Sequence, residues 1–176
     1  MTKKLIIVIV LVLAVIAGIV FGTRYPANAP ALPSDYKDAT YLVNSAPVTL
    51  TNGYAESALA PGSASKLVTQ YFGNEAMGDL TGDGAADVAF LITQTGGGSG
   101  TFYYVVVALR TPDGYEGTNA ILLGDRIAPQ TTEIANGEVI VNYADRKPGE
   151  PFTTPPSADA SKYFRVENGI LVKASG

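Results

Sequence analysis

Three aspartates within nine residues form the densest concentration of chemistry in this chain. The stretch Asp79-Leu80-Thr81-Gly82-Asp83-Gly84-Ala85-Ala86-Asp87 places side-chain oxygens at loop positions one, three, five and nine, on Asp79, Thr81, Asp83 and Asp87. The Ala85 carbonyl can serve at position seven, and Gly84 at position six permits a sharp turn. That alternation suits a hard cation with six to eight oxygen ligands, so Asp79, Thr81, Asp83, Ala85 and Asp87 are the expected ligands of one calcium ion. Position twelve, where an EF-hand carries a bidentate glutamate, is Phe90 within the apolar run Val88-Ala89-Phe90-Leu91-Ile92. The helix-loop-helix version is therefore excluded, and the loop leads into a strand. The alternative is a Gly-rich turn whose aspartates cap backbone amides without a metal. Three carboxylates with no Lys or Arg in the window repel one another, which favours the cation. A site of this kind outside the cytosol has an expected dissociation constant of about 10⁻⁴ to 10⁻³ M. With free calcium tenfold above it, linkage adds about 1.4 kcal/mol of stability, a staple and not a strong switch.

The loop resembles the Asp-x-Asn-Gly-Asp-Gly-x-x-Asp loops of FG-GAP repeats in integrin-type β-propellers, which also run into a hydrophobic strand, and its first half resembles dockerin loops. Thr81 stands where those loops carry Asn or Asp, which makes one ligand weaker. A propeller needs several blades and one copy is present, so the resemblance implies the loop and not the propeller.

Missing residue types narrow the remaining chemistry. With no His there is no Ser-His-Asp triad and no imidazole ligand; with no Cys there is no thiol nucleophile, disulfide or thiolate zinc site. Glycan hydrolysis needs only a carboxylate pair, so Asp125, Glu133, Asp145 and Glu150, with Arg126 or Arg146 as charge partner, are the candidates for an envelope glycan hydrolase. No residue is assigned a catalytic role on that basis, and the non-enzymatic reading is preferred. The run Gly96-Gly97-Gly98-Ser99-Gly100 lacks the Lys-Ser/Thr ending of a phosphate-binding loop, and no helical pattern follows it; it is expected to be a hairpin tip. Asp125-Arg126 is expected to be an ion pair closing a strand end.

The elements that must hold these residues read mainly as β. Asn52-Gly53, Asp113-Gly114, Asn136-Gly137 and Asn168-Gly169 each lie between apolar or β-branched runs and signal type I′ hairpins. Residues 131–135 should return as 138–143, and 163–166 as 170–173, the last an edge strand. In residues 101–110, Phe102, Tyr104, Val106 and Ala108 share one face while Tyr103, Val105, Val107 and Leu109 share the other, so this strand should be covered on both sides. Residues 63–72 carry both helical and strand signals, and strand is preferred. The four prolines of residues 147–162 predict a long rigid surface loop.

The N-terminus has a different character. Lys3 and Lys4 precede eighteen uncharged residues, 5–22, about 27 Å of helix against a hydrocarbon core of about 30 Å. Residues 1–24 are therefore expected to form a signal anchor, a single transmembrane helix with its N-terminus cytoplasmic and the remaining domain extracytoplasmic. Ala27-Asn28-Ala29 fits a signal-peptidase site, which would make the protein secreted, but Pro30 directly after it disfavours cleavage. Residues 25–38, with Pro26, Pro30 and Pro33, read as a Pro/Ala-rich linker, and 39–176 as the extracytoplasmic domain. Residues 25–176 hold 9 basic against 16 acidic side chains, net −7, which argues against nucleic acid as a partner.

The Gly78–Gly84 segment, residues 97–104, Leu123-Gly124-Asp125-Arg126 and the Pro-rich loop together resemble a group of uncharacterised bacterial envelope-anchored proteins. The resemblance implies an exported domain and transfers no activity. The expected fold is mainly β, an antiparallel meander forming a curved sheet or partly open barrel with one short helix at most, behind the transmembrane helix. The expected function is a membrane-tethered binding or structural domain stabilised by calcium, whose partner is an envelope protein or glycan. A third reading, an accessory or inhibitor subunit pairing through an exposed strand or the Pro-rich loop, requires an apolar surface patch.

Overall fold

The computed structural model describes residues 31–174. The expected membrane segment, 1–24, and the first part of the linker, 25–30, lie outside the described residues. Within them run twelve strands: β1 (Thr40–Val43), β2 (Ala46–Thr49), β3 (Tyr54–Ala58), β4 (Lys66–Gly78), β5 (Asp87–Gly96), β6 (Phe102–Thr111), β7 (Gly114–Gly117), β8 (Ile121–Asp125), β9 (Ala128–Ala135), β10 (Glu138–Asp145), β11 (Ala158–Glu167) and β12 (Ile170–Lys173). The only helical piece among the described residues is a 3₁₀ turn at Tyr36–Asp38, so the one short helix allowed by the sequence is at most this turn. Residues 66–72 are strand, the preferred alternative.

All pairings between the named strands are antiparallel and, apart from that of β6 with β8, follow chain order. Strands β3-β4-β5-β6-β7 form one meander, with β8 added to the β6 edge that β7 leaves free, and β9 to β12 form a second sheet. The sheets do not close into a barrel. The larger sheet is the middle layer. Ala89, Leu91, Val105 and Val107 on one face meet Val139, Val141, Tyr143, Phe164 and Leu171 of the smaller sheet. On the other face Val88, Phe90, Ile92, Tyr104 and Val106 meet Ala39, Tyr41, Val43 and Leu50 of the β1-β2 hairpin and its flanks. Strand β6 is thus covered on both sides with the face assignment its alternation predicts. Burial on both faces also explains why β5 is a continuous buried run from Asp87 to Gln94.

Three of the four Asn/Asp-Gly signals form the expected turn, with Asn52, Asn136 and Asn168 and the glycine after each at positive φ. The fourth differs. Thr111 pairs with Gly114, so the connecting residues are Pro112 and Asp113, and the proline ring forbids the positive φ that a type I′ turn needs. A hairpin the turn signals do not mark joins β1 to β2 through Asn44 and Ser45, at φ 51 and 65. Strand β12 is an edge strand, as expected, with Leu171 buried and Ile170 facing out. The Pro-rich loop holds all four prolines but ends before residue 158 and not at 162 as expected, because β11 begins at Ala158.

The described part of the Pro-rich linker packs on the sheet. The Pro33 carbonyl accepts the Tyr115 amide at 2.8 Å. Tyr36 lies 5.4 Å from the Phe90 ring, and its hydroxyl donates to Glu75 Oε1 at 2.8 Å, an oxygen that also accepts from Tyr71. Phe90 is enclosed by Tyr36, Tyr41 and Tyr71 in tilted or edge-on contacts, the geometry aromatic quadrupoles favour. Residues 32–174 contain both hydrophobic clusters and every strand pairing, so this part holds its own core and meets the condition for folding alone.

Candidate functional site

The 79–87 loop joins β4 to β5 at the end of the sheet where β6 finishes. Gly82 and Gly84 take φ of 80 and 84, so the sharp turn uses the conformation for which glycine is suited. The aspartates face inward onto the backbone. Asp79 Oδ1 accepts the Thr81 and Gly82 amides at 3.2 and 2.7 Å, and its Oδ2 accepts the Gly84 amide at 2.9 Å. Asp83 Oδ1 accepts the Ala85 amide at 2.8 Å. Asp87 is 0% exposed; its Oδ2 accepts the Leu80 amide at 2.9 Å and its Oδ1 the Arg110 amide at 2.8 Å. It therefore ties the loop's start to the end of β6.

The local chemistry separates these carboxylates. The Gly84, Gly82 and Thr81 amides hold Asp79 below the usual carboxylate range. Burial pushes Asp87 up despite its two amide donors, and the charges on Asp83 and Asp79 push the same way. No ion pair among the described residues involves the three aspartates. A carboxylate offers about four acceptor positions, so each of the three keeps lone pairs beyond those bonds. As folded, however, the carboxylates converge on backbone amides instead of on one another, and among the described residues no three acidic side chains gather into a metal-holding group. Thr81 and Ala85 complete the same loop, Thr81 exposed and Ala85 half-buried. Cation capture requires Asp79 and Asp83, both exposed, to re-aim.

The four carboxylates considered for hydrolysis are engaged in local bonds. Asp125 receives Arg126 Nε and Nη2 at 3.1 and 2.8 Å and the Thr101 amide at 2.9 Å, and this pairing holds it below the usual range. Asp145 caps the Arg146 amide, Glu150 the Lys147 amide, and Glu133 accepts the Thr131 hydroxyl. Arg146 donates to the carbonyls of Thr154, Asp125 and Arg126, so it fastens the Pro-rich loop to the end of β8. Its guanidinium and that of Arg126 both lie over the exposed Phe152 ring, at 5.5 and 4.1 Å. Arg126 sits at φ 51, a left-handed conformation that the Asp-Arg signal does not announce.

Comparison with protein-family models, with curated proteins and with solved structures gives no match for this chain.

Proposed function

We propose that this chain is a non-enzymatic binding or structural domain displayed on the outer side of a membrane by residues 1–24, with the 79–87 loop as a weak calcium site. The observation that carries the calcium assignment is the unneutralised charge of the loop: three aspartates, two of them exposed, with no basic side chain paired to them among the described residues. The positive φ of Gly84 supports it, since position six of such a loop needs a glycine for its sharp turn. The Ala85 carbonyl and Thr81 hydroxyl supply further oxygens, and Asp87, locked by two amides, contributes mainly field. In this reading calcium is a staple on an edge of the domain, and the partner is an envelope protein or glycan. The finer fold reading, a curved sheet open at its edges, belongs to the same proposal and leaves β3 and β12 as edges at which a partner can pair.

The test is thermal unfolding of residues 31–176 with and without millimolar calcium, beside Asp83→Ala. Calcium is expected to raise the parent midpoint by several degrees and to leave the variant unmoved. An unchanged parent midpoint refutes the metal site and leaves the loop a self-capped turn.

A further inference from the structure

An open sheet has edges, and an edge strand presents unpaired amides and carbonyls that another strand can take. Three edges of this domain are stopped. On β2 the outward residue Pro47 has no N–H to give. On β7 the outward Tyr115 amide is taken by the Pro33 carbonyl at 2.8 Å. On β12 the outward residue Leu171 is held by the Asn119 side chain, whose Oδ1 accepts the Leu171 amide at 2.8 Å and whose Nδ2 donates to the Leu171 carbonyl at 3.0 Å. One side-chain amide thus stands in the place of a neighbouring strand, and β12 is spent at its centre.

Strand β3 carries no such stop. The Leu59 amide donates to the Ser65 carbonyl at 2.9 Å and the Tyr71 amide to the Gly53 carbonyl at 2.7 Å. Both bonds continue the β3-β4 register, so the odd-numbered residues of β3 bond to β4 while Tyr54, Glu56 and Ala58 turn their backbone groups outward. Tyr54 spends its amide and carbonyl on Thr51 in the preceding turn. The amides and carbonyls of Glu56 and Ala58 have no partner among the described residues, and both residues are exposed, as is Ser57 between them. The open ladder is therefore two residues long, and it is self-complementary. A two-fold axis at Ser57 sets Glu56 of each copy opposite Ala58 of the other, which matches all four open groups of each copy. The register with Glu56 facing Glu56 instead wastes Ala58 on the spent Tyr54 and sets like charges opposite each other.

The charges agree with the two-fold register. Lys66 on β4 stands directly opposite Ala58, on the same face, and its Nζ lies 3.3 Å from Oε1 of Glu56 in its own chain. In the two-fold arrangement Glu56 of the second copy stands on the far side of Ala58, with its backbone about 10 Å from that of Lys66. The alanine is too small to separate them, so each lysine meets two carboxylates and each carboxylate two lysines. We propose that β3 is a homodimerisation edge, at which two copies of the chain pair their β3 strands antiparallel about Ser57 and join their larger sheets into one. A ladder of four backbone hydrogen bonds is a small contact, of the class that dissociates readily. It needs neither calcium nor a membrane, so it stands or falls independently of the function proposed above.

The test is sedimentation equilibrium of residues 31–176 between about 0.01 and 1 mM, a span suited to a weak contact. A reversible monomer–dimer equilibrium is expected. Ala58→Pro removes an outward N–H and leaves the bonds to β4 in place, so it should keep the urea midpoint and weaken the dimer at least about fivefold, the loss of two hydrogen bonds across the axis. Lys66→Glu should also weaken it, and Glu56→Lys combined with Lys66→Glu should restore it. Register is read with Ser57→Cys in a chain that has no other cysteine. Residues 57 of the two copies face each other, so a disulfide dimer should form at least about tenfold faster than with Ser99→Cys at the exposed glycine-rich tip. A monomer throughout the range overturns the proposal, as does a dimer that Ala58→Pro leaves intact, or a disulfide that forms no faster at residue 57 than at residue 99. Should Ala58→Pro shift the urea midpoint, the charge exchange decides, and a double variant that stays monomeric overturns the proposal.

Discussion

Removing the Asp87 carboxylate should destabilise the domain out of proportion to the size of the change, because its two oxygens each hold an amide from a different element. In Asp87→Ala the Leu80 amide, which is buried, loses its acceptor; a buried unmet donor costs about 1–3 kcal/mol. The Arg110 amide is only part-buried and can recover some of its loss through water, so its share is smaller. The sum is about 2–4 kcal/mol, offset in part by relief of a buried charge that Asp79 and Asp83 repel. Asp87→Asn keeps the shape and one acceptor, turns an NH₂ toward the other amide, and removes the same charge. It should cost roughly 1–2 kcal/mol, less than alanine. The comparison is Asp83→Ala, whose carboxylate is exposed and holds one exposed amide, expected within about 0.5 kcal/mol of the parent in calcium-free buffer. The assay is urea unfolding of residues 31–176 in chelator at pH 7, followed by circular dichroism, with the slope checked for constancy. If Asp87→Ala falls within 0.5 kcal/mol of the parent by that assay, or if Asp83→Ala costs as much as Asp87→Ala, the assignment of Asp87 as the tie between loop and sheet is wrong.

Two further outcomes follow from the charge pattern and the loop anchoring. Asp79 and Asp125 have folded pKa values below their unfolded ones, so their stabilising contribution is present above the ordinary carboxylate range and is lost as pH falls through the lowered values. Asp87 is raised and has the opposite sign, gaining stability as pH falls through its own titration. Unfolding free energy measured in chelator from pH 6 to pH 2 should therefore decline steeply only below about pH 4, and Asp125→Asn should make that decline shallower. Arg146→Ala removes the donor to the carbonyls of Thr154, Asp125 and Arg126. Limited proteolysis should then cut within residues 147–157 at least tenfold faster, while overall stability drops by about 1–3 kcal/mol. Unchanged cleavage would show that the prolines alone hold the loop.

Local patterns in the chain were enough for its mainly antiparallel β character, though not for the division into separate sheets. The two-residue alternation of 102–109 specified a strand buried on both faces, because side chains on a pleated strand alternate whatever lies above them. Asn-Gly at 52, 136 and 168 specified tight turns, because the φ preference belongs to those two residues alone; at 136 and 168 the turn joins paired strands, whereas at 52 it carries the chain from one sheet to another. The acidic loop was visible as residue types at fixed spacing, and its three aspartates do sit on one short turn. Where a local signal was read one residue out of place, at Pro112-Asp113, the ring of a single proline had decided the register.

What the sequence could not determine is which groups meet across long separations. Asp87 joins Leu80 to Arg110, and residues 32–38, the end of a segment that reads as a Pro-rich spacer, dock on Phe90, Glu75 and Tyr115. Phe102 and Leu122 stay half-exposed although they lie on strands of the larger sheet, 50 to 80 residues beyond the short hairpin at 40–49. Neither composition nor periodicity encodes how far one element extends over another. That is decided when the layers pack, since burial depends on the relative lengths and placements of elements, and each chain segment carries information only about itself.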